Sequence, residues 1–155
     1  MPARFMGHPI HPILVPLPIG LWIFSLVSDL VYRFLSSDPI WDTMATYTMA
    51  GGIVGALAAA LPGFIDFLSI SDPAPRRTAL IHMVLNLSLV VLYAINLWLR
   101  TTTTGSDMPF VLSVVGVILL GVTGWLGGEL VFRHGVGVSN DRSRVGSGAG
   151  PTSGR

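Results

Sequence analysis

The chain has 155 residues, of which 51% are hydrophobic and only 11% charged, and its formal net charge is +1. About a quarter of an ordinary soluble domain is charged, so this balance excludes the common soluble classes, and the near-zero charge argues against a nucleic-acid partner. There is no cysteine, which removes disulfides, thiolate metal sites, iron–sulfur ligation and c-type haem attachment within this chain.

A helix needs about 20 apolar residues to cross a bilayer, and the first stretch that qualifies runs over 13–35. It is too long for a signal peptide, begins with a histidine- and proline-rich segment and ends in Ser36-Ser37-Asp38-Pro39 instead of a small-residue cleavage site, so it reads as a retained helix. Pro16 and Pro18 lie near its start, where missing backbone donors cost least. Trp22, Ser25, Asp29 and Arg33 fall on one arc when residues advance by roughly 100° each. Polar groups in a span face the bundle interior, and Asp29 and Arg33, four residues apart, are expected to pair along the helix.

The second span covers 44–70 and carries small residues on one face: Gly52, Gly55, Ala59 and Gly63, ending in Asp66. Pro62-Gly63 predicts a kink. The third, 79–99, has a polar stripe of His82, Asn86, Tyr93 and Asn96. The fourth, 109–132, shows Ser113, Gly116, Gly124 and Gly127, with Gly121 and Gly128 nearby. Such small-residue faces allow close helix packing, within one chain or between copies in an oligomer; the functional alternative is that they make room for a flat cofactor.

Short links at 36–42, 71–78 and 100–107 make consecutive helices antiparallel neighbours. The expected fold is an all-α, integral membrane four-helix bundle, up-down-up-down, with both termini on one side. Residues 1–134 form that domain, and 135–155 read as a flexible Gly/Ser-rich tail. The side with the termini collects Arg4, Arg76, Arg77, Arg133, Arg142, Arg144 and Arg155, against Arg33 and Arg100 on the other. That asymmetry puts the termini in the cytoplasm and the protein in the bacterial inner membrane.

All four histidines belong to the terminal side. His8 and His11 precede the first span, His82 lies about one turn into the third, and His134 follows the fourth. Asp66 and Glu129 sit at the same level. Imidazole is the commonest metal ligand and also changes charge near neutral pH. Two histidines from different helices suit the axial positions of haem b, three with a carboxylate suit a divalent metal ion, and the same groups suit a quinone or a proton path. The cofactor set is therefore His8, His11, His82 and Asn86, and the metal set is His8, His11, His82 and Asp66. The plain alternative is four ordinary interfacial histidines, with His134 solvated at a helix C-terminus.

The stretches Gly7-His8-Pro9-Ile10-His11-Pro12, Leu61-Pro62-Gly63-Phe64-Ile65-Asp66 and Gly124-Trp125-Leu126-Gly127-Gly128-Glu129 resemble a bacterial family of four-helix membrane proteins catalogued as "domain of unknown function 2231". The resemblance covers about residues 5 to 138. It implies an integral membrane protein and, because some relatives occur fused to or near Rieske-type or cytochrome-like proteins, redox partners of that kind. Three functions follow: a redox subunit binding haem b or quinone, a divalent metal-ion binding or transport protein, and a non-catalytic assembly module. Without a cysteine, and with no serine in a nucleophile setting, the chain does not read as an enzyme on its own.

Overall fold

A computed structural model of the chain describes residues 3–5 and 8–138. The expected tail from 139 onward, with Arg142, Arg144 and Arg155, lies outside the described residues. Two short strands, β1 (Arg4–Phe5) and β2 (His8–Pro9), pair antiparallel and lead into α1 (Ile10–Leu14) and α2 (Pro16–Phe34). Three long helices follow: α3 (Pro39–Leu68), α4 (Pro73–Thr102) and α5 (Met108–Phe132).

The proline pair near the start of the first span interrupts the hydrogen-bond ladder, while Val15 keeps helical angles (φ −56°, ψ −37°). Val15 separates α1 from α2, and Pro16 opens the new helix where its missing N–H is harmless. Taken together, α1 and α2 form one apolar stretch of 25 residues, the first of four helices among the described residues that are long and apolar enough to span a membrane. At about 1.5 Å per residue, the 30-residue α3 and α4 exceed a hydrocarbon core of roughly 30 Å.

Helix boundaries differ from the apolar spans at the starts. α3 begins at Pro39, because the Asp38 side chain caps it by accepting from the Ile40 amide at 3.0 Å. α4 begins at Pro73, directly after Asp72. Hydropathy marks the lipid-facing length, whereas caps mark the helix, and the two need not coincide. Pro62 stays inside α3 and is buried there. It removes a donor from the preceding turn, and His11 gives one to that turn at the Ala59 carbonyl, 2.8 Å away. At the far end of α5, Gly135 adopts φ +63° while its amide and that of Val136 bond back to Val131 and Leu130. This left-handed closure is one that glycine makes without strain.

The broadest packing joins α2 to α3 and α4 to α5, with α3 against α4 and α2 against α5 completing the bundle. Its buried centre is Trp22, Met49, Leu89, Tyr93 and Leu120. Large apolar side chains such as Tyr47, Trp125 and Phe132 point outward, with 75%, 77% and 91% exposure. In water, so many would be an unmanageable apolar surface. They are the lipid-contacting surface of a membrane-spanning bundle.

Candidate functional site

α1 carries His11 and α4 carries His82 to the same end of the bundle, with ring centroids 6.4 Å apart and planes at 87°. Both rings are held alike. His11 Nδ1 lies 2.8 Å from the Ala59 carbonyl oxygen on α3, and His82 Nδ1 lies 3.0 Å from that of Thr123 on α5. A carbonyl only accepts, so these bonds put the proton on each Nδ1 and leave each Nε2 with its lone pair. Each ring also rests on a glycine four residues beyond its carbonyl. A Cβ on Gly63 would come within 2.8 Å of His11, and one on Gly127 within 3.2 Å of His82.

Further along the seam, Trp22 and Tyr93 stack with centroids 4.2 Å apart and planes at 12°. They sit on Gly52 and Gly116; a Cβ at Gly52 would overlap the indole, and one at Gly116 would lie 2.8 Å from the phenol. Beyond them Asp29 pairs with Arg100. All three cross-bundle pairs join residues 71 apart in the chain (82 less 11, 93 less 22, 100 less 29). The carbonyls and glycines that receive the rings are 64 apart (123 less 59, 127 less 63, 116 less 52). The α1–α3 half and the α4–α5 half thus repeat one packing plan about a shared seam. This chain's own aromatic and imidazole rings fill Gly52, Gly63, Gly116 and Gly127, which accounts for half of the glycines in the small-residue pattern.

At the histidine end the helices enclose a cavity of about 490 Å³, largely apolar, whose wall includes His11, His82, Asn86, Trp22, Thr123 and Asp66. The Asn86 amide donates to the His82 carbonyl at 2.7 Å and lies 3.2 Å from His82 Nε2. Of the other residues singled out from sequence, Asp66 shares the cavity wall and the rest lie apart from this pair. His8 is exposed on β2 and does not line the cavity. Asp66 Oδ1 accepts from the Ala3 amide at 2.6 Å, tying down the N-terminal segment. Glu129 bonds Arg133 at 2.8 Å, while His134 borders a second, smaller hollow of about 400 Å³ with Asp66 and Asp72. Among the described residues, no three His, Cys, Asp or Glu side chains gather closely enough to hold a metal ion.

The expected Asp29–Arg33 pair does not form. Asp29 bonds Arg100 across the bundle, both side chains 7% exposed, and Arg33 turns outward to Asp107 at 2.7 Å, its guanidinium 5.0 Å from the Phe110 ring centre. The buried groups attract each other more strongly than either attracts a solvated partner, so the interior pair wins. The Arg33 contact holds the exposed Asp107 carboxyl below its ordinary value, by its hydrogen bond first and then by charge. Arg100 also reaches Asp42 at 3.3 Å and Ser113 at 3.3 Å, and Asn96 donates to the same Ser113 hydroxyl at 3.0 Å. Sequence reading missed Arg100 as an interior residue. The signal was present: it lies four residues after Asn96 and continues the His82, Asn86, Tyr93, Asn96 stripe.

Four apolar helices, a lipid-facing exterior and a polar seam buried along the axis define a polytopic membrane protein. A family model described as a predicted membrane protein, DUF2231, matches residues 7–140, and the chain belongs to that family. No curated protein and no solved structure matches it.

Proposed function

We propose that the bundle is a membrane redox subunit holding haem b between His11 and His82. The placement of the two imidazoles carries this reading. Two imidazoles brought from different helices to one cavity would hold a haem iron. Their ring centroids are 6.4 Å apart. The Nδ1–carbonyl bonds support it further, since a ligating histidine is usually fixed through its other nitrogen. Asn86 would give up its approach to His82 Nε2 and keep the 2.7 Å bond to the His82 carbonyl.

The cavity volume of about 490 Å³ is in the ordinary range for cofactor sites. Bound haem would supply one-electron chemistry there; the chain's part is to orient the two rings and exclude water with the apolar helices around them. Electrons would be exchanged with a Rieske-type or cytochrome partner, the kind of neighbour the family resemblance implies. The same apolar cavity with two imidazoles also suits a quinone headgroup. A divalent ion would have His11 and His82 and would need Asp66 to leave Ala3.

We infer an up-down-up-down path with both termini at the histidine end. Partner numbers run in opposite senses along α2 and α3, from Trp22–Met49 to Ser25–Ala45, and along α4 and α5, from His82–Thr123 to Asn96–Ser113. Arg33 and Arg100, at the opposite end, are both tied to aspartates. Arg4, Arg76, Arg77 and Arg133 belong to the histidine end, against Arg33 and Arg100 at the other, an excess of arginine that supports a cytoplasmic histidine face at the bacterial inner membrane.

Purification from haem-replete membranes should yield a Soret band, with sharp α and β bands on dithionite reduction. His11→Ala and His82→Ala should each abolish the low-spin spectrum, while His8→Ala should leave it intact. A featureless visible spectrum would overturn the haem reading; elemental analysis and quinone extraction of the same sample would then separate metal from quinone.

A further inference from the structure

We propose that the Arg100 half of the bundle contains an internal water site, separate from the histidine cavity, built on one face of α4. Three buried side-chain atoms there have no partner among the described residues: Tyr93 Oη, Asn96 Oδ1 and Arg100 Nε. Tyr93 and Asn96 are 0% exposed, and the Arg100 side chain 7%. They occupy successive turns of one helical face, so about 10 Å of helix axis holds all three. Buried polar groups are almost always satisfied, and leaving one unmet is costly. Three orphans on one face of one helix therefore point to a ligand and not to a scatter of packing faults.

The donor and acceptor set identifies that ligand as water. The Asn96 carbonyl oxygen only accepts, the Arg100 Nε–H only donates, and the Tyr93 hydroxyl does either. Water supplies both halves at once, and an internal water typically makes about three such bonds. An anion does not fit. It would repel the Asn96 oxygen, and Arg100 already faces the carboxylates of Asp29 and Asp42. A cation would meet the guanidinium. The neighbouring Ser113 hydroxyl is shared by Asn96 and Arg100, and Arg100 also reaches the half-exposed Asp42. One turn away, the Tyr93 ring stacks on Trp22 in the cavity wall.

X-ray radiolytic footprinting of the purified full chain tests this, since hydroxyl radicals made from bound water label the side chains beside it. It needs no haem, so its result is independent of the cofactor reading. Met49, on α3, is as buried as Tyr93, packs in the same apolar cluster and is intrinsically more reactive, but it carries none of the three orphaned atoms. Tyr93 is expected to label several-fold faster than Met49. Asn96→Leu should bring Tyr93 down to the Met49 rate while the half-exposed Met108 is unchanged. If Tyr93 labels no faster than Met49, the water site is absent. Undiminished Tyr93 labelling in Asn96→Leu would equally overturn it, because the water would then belong to the histidine cavity. Should Asn96→Leu fail to fold, the wild-type comparison of Tyr93 with Met49 decides alone.

Discussion

Asp29 is the residue on which local and tertiary reasoning disagree. Helix spacing offers it Arg33, an i,i+4 neighbour on its own helix. The folded chain gives it Arg100, and the pair is buried to 7% exposure on both sides. Removing Asp29 leaves the buried Arg100 with only the exposed Asp42 carboxylate 3.3 Å away, a loss of up to about 3–5 kcal/mol. Asp29→Ala should therefore destabilise the protein severely in unfolding titrations from mixed micelles. Asp29→Ala combined with Arg100→Met should recover most of that loss, because no unpaired charge is left behind. Equal destabilisation in single and double variants would show that the pair is not the interaction being measured. Arg33→Ala, at an exposed bridge, should change stability by less than about 1 kcal/mol.

At the scale of helices, the glycines divide into two kinds that sequence spacing does not distinguish. Gly52, Gly63, Gly116 and Gly127 are each seats for a ring from another helix, and an added Cβ would collide with it or crowd it. Gly20, Gly121 and Gly124 have nothing within 4 Å of an added Cβ. Gly116→Ala should force Tyr93 off its seat and cost about 1–3 kcal/mol, the usual penalty of overpacking. Gly121→Ala should instead be neutral or stabilising by up to about 1 kcal/mol, since alanine is the better helix former. Thermal unfolding in detergent would compare the two; similar effects would mean that the Tyr93 seat is not tight. The small-residue pattern was legible in the sequence, but its meaning required knowing which ring lands on which glycine. Nothing in α5 alone points to Tyr93 of α4.

For the molecule as a whole, the absence of cysteine makes membrane topology directly testable. Ser106→Cys in the α4–α5 link and Ser71→Cys in the α3–α4 link create single thiols at opposite ends of the inferred path. In intact cells, a membrane-impermeant maleimide should label Ser106→Cys and spare Ser71→Cys until the membrane is broken. The reverse pattern would invert the orientation drawn from the arginine distribution, and equal labelling of both would refute the four-crossing path.

Chain composition alone determined that this is a membrane protein, how many apolar helices it has and roughly where they lie. Those properties are sums over short segments, because lipid demands about 20 apolar residues per crossing and each helix satisfies its own backbone. The polar faces of the first and third spans were equally legible, since no polar group turns to lipid without cost. Only the tertiary structure decided which members of those faces meet. It placed His11 and His82 on one cavity without His8, committed Asp66 in its wall to the Ala3 amide, gave Asp29 to Arg100, and revealed that two halves of the chain repeat one plan. Those pairings join residues 71 apart, and no periodicity within a single helix carries information about a partner on another.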